Sequence, residues 1–112
     1  MGVFENIAEI DRLLRLANEE TIVIHKRDAT GAENEVYIGR PSKWGNPMRL
    51  KKGVTLEDRE AVIEFYRGFL RGRPDLVEAA KRELKGKVLV CWCKPLPCHG
   101  DVLAKIANGE EW

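Results

Sequence analysis

All three cysteines of the chain, Cys91, Cys93 and Cys98, fall within eight residues, and His99 follows at once. A thiol can be a nucleophile once ionised, a soft metal ligand, or a small apolar packing group. The surrounding run, VLVCWCKPLPCHGD (residues 88–101), divides these chemistries by position. An extended apolar stretch ends near Cys93, KPLP turns the chain, and a helix is expected to open at residues 98–101. Side chains two apart on a strand share a face, so Cys91 and Cys93 point one way and Trp92 the other. At a helix mouth, unpaired N–H groups and the helix dipole favour an anion and lower a thiol's pKa. Cys98 is therefore the candidate nucleophile, with His99 or Asp101 as candidate base and His25 as a second one.

The same four side chains, Cys91, Cys93, Cys98 and His99, would complete a Cys3His set for zinc. Their spacing, C-x-C-x4-C-H, is not that of a zinc knuckle, and a flat strand splays the first two sulfurs. No metal site is expected, and zinc stays a minority alternative, as does an iron–sulfur cluster with one open iron. Cys91 and Cys93 read equally well as core residues. Direct bridging of that pair is disfavoured, because an extended backbone separates their α-carbons by roughly 6.5 Å; Cys93 with Cys98 is geometrically feasible.

A second stretch, YIGRPSKWGNP (residues 37–47), has no helical or strand period. Gly39 and Gly45 permit close backbone approach, and Pro41 and Pro47 stiffen the loop. Arg40, Ser42, Lys43 and Asn46 supply donors suited to a phosphate or a nucleobase edge, and Trp44 offers a stacking platform. Neither a P-loop nor a dinucleotide fingerprint is present. The alternative is an ordered connection whose Trp44 plugs the core.

The bulk properties frame these two places. At 112 residues, 44% hydrophobic and 33% charged, the chain is expected to form one soluble domain with its own core. No apolar run approaches the roughly 20 residues of a membrane span, and the start, MGVFENIAEIDRLL, has neither a signal-peptide nor a myristoylation pattern. A cytoplasmic protein without a membrane partner is expected. The chain has no Gln and is rich in Glu, Lys and Arg, which leans towards a thermophilic source. Net charge is +1, yet residues 26–52 hold seven bases (Lys26, Arg27, Arg40, Lys43, Arg49, Lys51, Lys52) against three acids. A local excess of that size suits a phosphorylated small molecule or a nucleic acid, or is a solvated surface.

Periodicity predicts the elements that carry these stretches. Residues 3–18 read as an amphipathic helix with Phe4, Ile7, Ile10, Leu14 and Ala17 on one stripe. Residues 21–26 and 35–39 read as strands forming a hairpin or neighbouring pair. Thr55 to Asp58 has capping-box spacing, opening a helix with Val62, Phe65, Tyr66 and Phe69 inward. Pro74 starts another helix with Leu76, Ala79, Ala80 and Leu84 inward. KVLVCWC is the most hydrophobic strand and the expected sheet centre. The last helix runs from residues 99–101 to Asn108 and Gly109. The expected fold is a small α/β sandwich, a mixed sheet of about three to four strands flanked by about four helices.

The motifs VYIGRPSKWGNP and GKVLVCWCKPLPCHGDVLAKIAN together resemble the domain-of-unknown-function family numbered 4326. In that family a strand leads into a GR-x-S-KWGNP-like loop, helices follow, and a later strand ends CWC-x-P-x-x-CHGD. The resemblance spans about residues 21–109, within a single domain of residues 1–112 that has an additional N-terminal helix in residues 1–20. Met48 stands where a Phe often follows GNP. The resemblance supplies no established reaction or cofactor, and the family's recurrence in phage and prokaryotic genomes favours nucleotide or nucleic-acid chemistry.

The expectation is thus a small protein that binds, and acts on, a nucleotide, nucleobase or other phosphorylated ligand. Arg40, Ser42, Lys43, Trp44, Gly45 and Asn46 would bind it, and Cys98, His99 and Asp101 would supply chemistry. The alternative is a non-catalytic nucleic-acid-binding or zinc-stabilised module.

Overall fold

A computed structural model describes residues 19–48 and 56–112, together with Ile10, Leu13, Leu14 and Ala17. Three parallel strands, β1 (Ile22–His25), β2 (Glu35–Tyr37) and β3 (Val88–Cys91), are arranged in the order β1-β3-β2. Among the fully described segments three helices, α1 (Leu56–Arg71), α2 (Pro74–Glu83) and α3 (His99–Ala107), complete the α/β fold. The expected helix over residues 3–18 lies outside the described residues except at those four positions, which are helical and exposed. The expected capping box at Thr55 lies outside them too. No described helix is long and apolar enough to cross a membrane.

The order of elements is the expected one, but the first two strands do not pair. β3 lies between them, with Val23 opposite Leu89 and Val36 opposite Leu89 on its other side. Two physical reasons account for this. Among the described residues β3 is the only four-residue run buried at every position, so it fits the centre, covered on both faces. The link from β1 to β2 is also not a hairpin turn. It opens with a 3₁₀ turn, Lys26–Asp28, capped by His25 Nδ1, which accepts from the Arg27 N–H at 3.0 Å. The Glu35 carboxylate then accepts from the backbone N–H groups of Thr30 and Gly31, folding the chain back to run parallel. Strands this short let nine residues make the return.

β2 reaches β3 through α1 and α2. In α1 the inward residues are Ile63, Tyr66 and Leu70, with Val62 and Phe69 partly buried. Phe65, expected inside, is 44% exposed, because the buried stripe runs through residues 63, 66 and 70 and leaves it on the flank. α2 opens at Pro74 and buries Leu76, Ala79 and Ala80 as expected. α3 buries Val102, Leu103, Ile106 and Ala107 and packs on β1, β3, α1 and α2. A four-bond clamp ties chain ends to this core. The Thr21 N–H donates to Asn108 Oδ1 at 2.7 Å, and Asn108 Nδ2 donates to the Thr21 carbonyl at 3.0 Å. Buried Thr21 Oγ1 donates to the Leu84 carbonyl and accepts from the Gly86 N–H.

Because all three strands run the same way, His25, Ile38 and Cys91 reach one edge of the sheet together. The start of α3 meets that edge. In open α/β sheets ligand sites form beyond the carboxyl ends of strands.

Candidate functional site

A cavity of about 320 Å³ opens at this edge. Gly39, Arg40, Asn46 and Met48 line it from the loop, Arg59 and Ile63 from α1, Cys91 and Cys93 from the end of β3, and Cys98 and His99 from the start of α3. Tyr37 and Trp92 stand at its rim. The two motifs therefore share one cavity.

The loop is built from two successive turns, closed by the Ser42 N–H on the Gly39 carbonyl at 2.9 Å and the Gly45 N–H on the Ser42 carbonyl at 3.0 Å. The Arg40–Pro41 peptide is cis. Gly45 is required by close approach: a Cβ there would lie 2.7 Å from Arg40 Cγ. Removing that side chain makes room for Arg40 against the cavity wall.

The loop's other expected ligand groups are spent on the fold. Trp44 is 4% exposed and packs in the core, its carbonyl accepting from Tyr66 Oη at 2.7 Å, so it offers no face to a ligand. Burial raises the Tyr66 phenol, which stays a neutral donor. Lys43 lies over the Trp44 ring at 4.8 Å and pairs with Glu83 at 2.8 Å, away from the cavity. Ser42 Oγ is buried without a partner and does not line the cavity. Asn46 does line it, but its amide donates to the Val62 carbonyl and accepts from the Met48 N–H. Of the six residues expected to bind, Arg40 alone presents a free-standing charged group to the cavity.

Two groups not singled out in the sequence also stand at the cavity. Trp92 is 62% exposed, with its indole N–H donating to Tyr37 Oη at 3.2 Å and its ring edge-on to His25 at 6.0 Å. Tyr37 Oη in turn donates to the Arg40 carbonyl at 3.1 Å. Trp92, not Trp44, is the tryptophan with an exposed ring beside the cavity. Arg59 lines the cavity, and its Nη1 is buried with no hydrogen-bond partner. Its signal was an arginine sitting one turn ahead of Val62 and Ile63, on the buried stripe of α1.

Cys98 is the N-cap of α3, 1% exposed, with its sulfur accepting from the Gly100 N–H at 3.3 Å. Asp101 closes the capping box by accepting from the Cys98 N–H at 3.0 Å, and pairs with Lys94 at 2.5 Å. Asp101 is thus a structural cap and does not line the cavity. His99 Nε2 lies 2.8 Å from the Ile38 carbonyl oxygen, so that nitrogen carries the proton and donates. Nδ1 is left as an acceptor, 3.6 Å from Cys98 Sγ. Burial, the largest influence on it, lowers the His99 pKa and keeps the ring neutral.

The strand and helix cysteines form one cluster instead of two sites. Leu96 N–H bonds the Cys93 carbonyl at 2.9 Å, and this tight turn brings Cys98 Sγ to 3.1 Å from Cys91 Sγ. All three thiols are free. Cys98, expected to be the easiest to ionise, is instead raised, chiefly because its thiol proton is held by Cys91 and its sulfur is buried. Cys91 is raised chiefly by its bond with Cys93. Cys93 is held well below the ordinary thiol range, first by its hydrogen bond with Cys91 and further by its place in the thiol cluster beside Arg59, against the opposing effect of burial. Among the described residues, no group of three His, Cys, Asp or Glu side chains is arranged to hold a metal ion.

A family model described as a domain of unknown function, DUF4326, matches residues 22–109 of this chain. The chain belongs to the DUF4326 family. Every element of the sheet and all three helices lie within the matched span. A similar protein, an uncharacterized 12.4 kDa protein of the nrdA-td intergenic region of Enterobacteria phage T4, is 36% identical over 106 residues, covering 92% of this chain and 85% of that protein. No solved structure matches this DUF4326 chain.

Proposed function

We propose that this DUF4326 protein binds a nucleotide, or a similar phosphorylated ring compound, in the cavity between the 39–48 loop and the start of α3. The observation that carries the reading is the buried, unpartnered Nη1 of Arg59, which shares the cavity wall with Arg40. A buried donor without an acceptor costs about 1–3 kcal/mol, and more when charged. An oxyanion placed there removes that cost and engages a guanidinium fork suited to phosphate. Exposed Trp92, fixed by Tyr37, offers a ring face at the rim, where base stacking contributes roughly 1–3 kcal/mol. The cavity is at the small end of ligand sites, which run from about 300 Å³. It suits one nucleotide unit.

The test is a titration of the protein with nucleoside monophosphates, the matching nucleosides and inorganic phosphate, followed by calorimetry and tryptophan fluorescence. Monophosphates should bind more tightly than nucleosides, quench fluorescence, and lose tenfold or more in affinity with Arg59→Gln. Equal weak responses to all three probes, unchanged in that variant, would reject the reading. A steep loss of affinity with salt, steeper for oligonucleotides than for mononucleotides, would instead indicate a nucleic-acid surface.

A further inference from the structure

We propose that Cys93 is the reactive thiol of this protein, with Cys91, Cys98 and Arg59 as the groups that hold it in a nucleophilic state. Three geometric facts single it out. Cys93 lines the cavity and is partly exposed, whereas Cys91 and Cys98 are each 1% exposed. Each of the buried thiols has one proton to give. The Cys98 thiol points at Cys91 across 3.1 Å, and the chain of thiols ends on Cys93. The Arg59 guanidinium lines the same cavity and sets a positive charge near Cys93, the most exposed of the three sulfurs.

Position at the helix mouth would favour Cys98. Its sulfur, however, is enclosed and already accepts from the Gly100 N–H, with His99 Nδ1 beside it. A sulfur without access cannot attack a ligand in the cavity. The titratable and charged groups facing Cys93 are Cys91 from β3, Cys98 and His99 from α3, and Arg59 from α1. Cys98 directs its one proton at Cys91, which leaves the Cys91 proton for Cys93; the Arg59 charge favours the anion, and neutral His99 does not oppose it. Cys98 and Cys91 thus serve as positioning residues and Cys93 as the group that touches the reacting atom.

The chemistry is closed in atoms and electrons. A sulfur lone pair of Cys93 forms an S–C bond to an electrophilic sp² carbon, and the π pair moves onto the attached heteroatom, where a guanidinium can stabilise the charge. No oxidant, reductant or co-reactant is required. The inference concerns the same cavity as the nucleotide reading but is independent of which ligand fills it.

Iodoacetamide is the probe, with displacement of iodide as the S–C bond forms. Native full-length protein is labelled at less than one equivalent between pH 6 and pH 8, and fragment-ion mass spectrometry locates the label within residues 88–105. An ordinary thiol is about 0.3% ionised at pH 6. Full ionisation gains about 300-fold in thiolate, of which the weaker nucleophile gives back much. The expected result is first labelling at Cys93, about tenfold faster than glutathione at pH 6, and nearly flat in rate up to pH 8. Arg59→Gln and Cys98→Ala should restore an ordinary rise with pH. First labelling at Cys98 or Cys91, a wild-type rate climbing about tenfold per pH unit, or a stoichiometric metal that blocks labelling would each overturn the assignment. Wild-type mapping decides the matter even where a variant fails to fold. Failure of nucleotide binding would leave this result intact, so the two readings fall separately.

Discussion

His99 Nε2 donates to the Ile38 carbonyl across 2.8 Å, and so ties the start of α3 to the strand end from which the 39–48 loop departs. The bond requires the neutral ring's proton on Nε2, and burial is the main force keeping the ring neutral in the fold. The folded pKa of His99 is therefore below its unfolded value of about 6.5. Below that pH the unfolded chain binds the extra proton first, so stability is complete above about pH 6.5 and declines as pH falls. Urea unfolding at pH 7.5 and pH 5.5 should show a wild-type loss that His99→Gln largely lacks. A variant with the same pH slope as wild type would disprove this role.

The Thr21–Asn108 clamp gives a prediction about stability alone. Thr21 Oγ1 is buried, donates to the Leu84 carbonyl at 2.6 Å and accepts from the Gly86 N–H at 3.0 Å. Thr21→Val keeps the shape and strands both backbone groups, so a loss of about 2–3 kcal/mol is expected. Asn108→Ala should cost a similar amount by freeing the Thr21 backbone. Denaturant midpoints measure both, and cavity binding should be unaffected.

Gly100 is set by contact with the sheet. A Cβ at this position would lie 2.6 Å from Ile38 Cδ1 and 3.0 Å from Val23 Cγ1. Gly100→Ala must push α3 off the sheet or force Ile38 aside, at a cost of about 1–3 kcal/mol. Since Ile38 also receives the His99 bond, the cavity wall shifts with it. The variant should lose both thermal stability and selective labelling of Cys93. Unchanged melting would show that the contact relaxes freely.

Much of this was legible in the sequence, and the misses share a cause. Apolar periodicity located the strands and the inward face of α2, and residues of both motifs line one cavity. Pairing order was not legible, because a hairpin and a skipped parallel pair begin with the same two strand patterns. Only the 3₁₀ turn and the Glu35 cap distinguish them. The strand period puts Cys91 and Cys93 on one face, but β3 ends at Cys91 and leaves Cys93 beyond it. It says nothing of the KPLP turn, which folds Cys98 back onto Cys91. Arg59 was hidden in an apolar stripe, since a helical pattern does not reveal that a stripe ends at a cavity.

The two tryptophans separate the core from the site in one comparison. Trp44 sits in the loop that reads as ligand-binding, yet it is 4% exposed and packs with Tyr66 and Ile38. Trp92 sits after a strand that reads as core, yet it is 62% exposed at the cavity rim. Truncating a buried Trp typically removes about 3–5 kcal/mol, a large part of a small domain's stability. Trp44→Ala should therefore unfold much of the population at 37 °C. Trp92→Ala buries nothing less and loses only the bond to Tyr37 and the edge contact with His25. Its melting temperature should stay within a few degrees of wild type, while affinity for a nucleoside monophosphate falls about tenfold, the equivalent of 1.4 kcal/mol. Phosphate binding, which needs Arg40 and Arg59 alone, should be unchanged. If Trp92→Ala binds nucleotide as wild type does, the ring of the ligand lies elsewhere. If it loses phosphate as well, Trp92 holds the loop instead of the ligand.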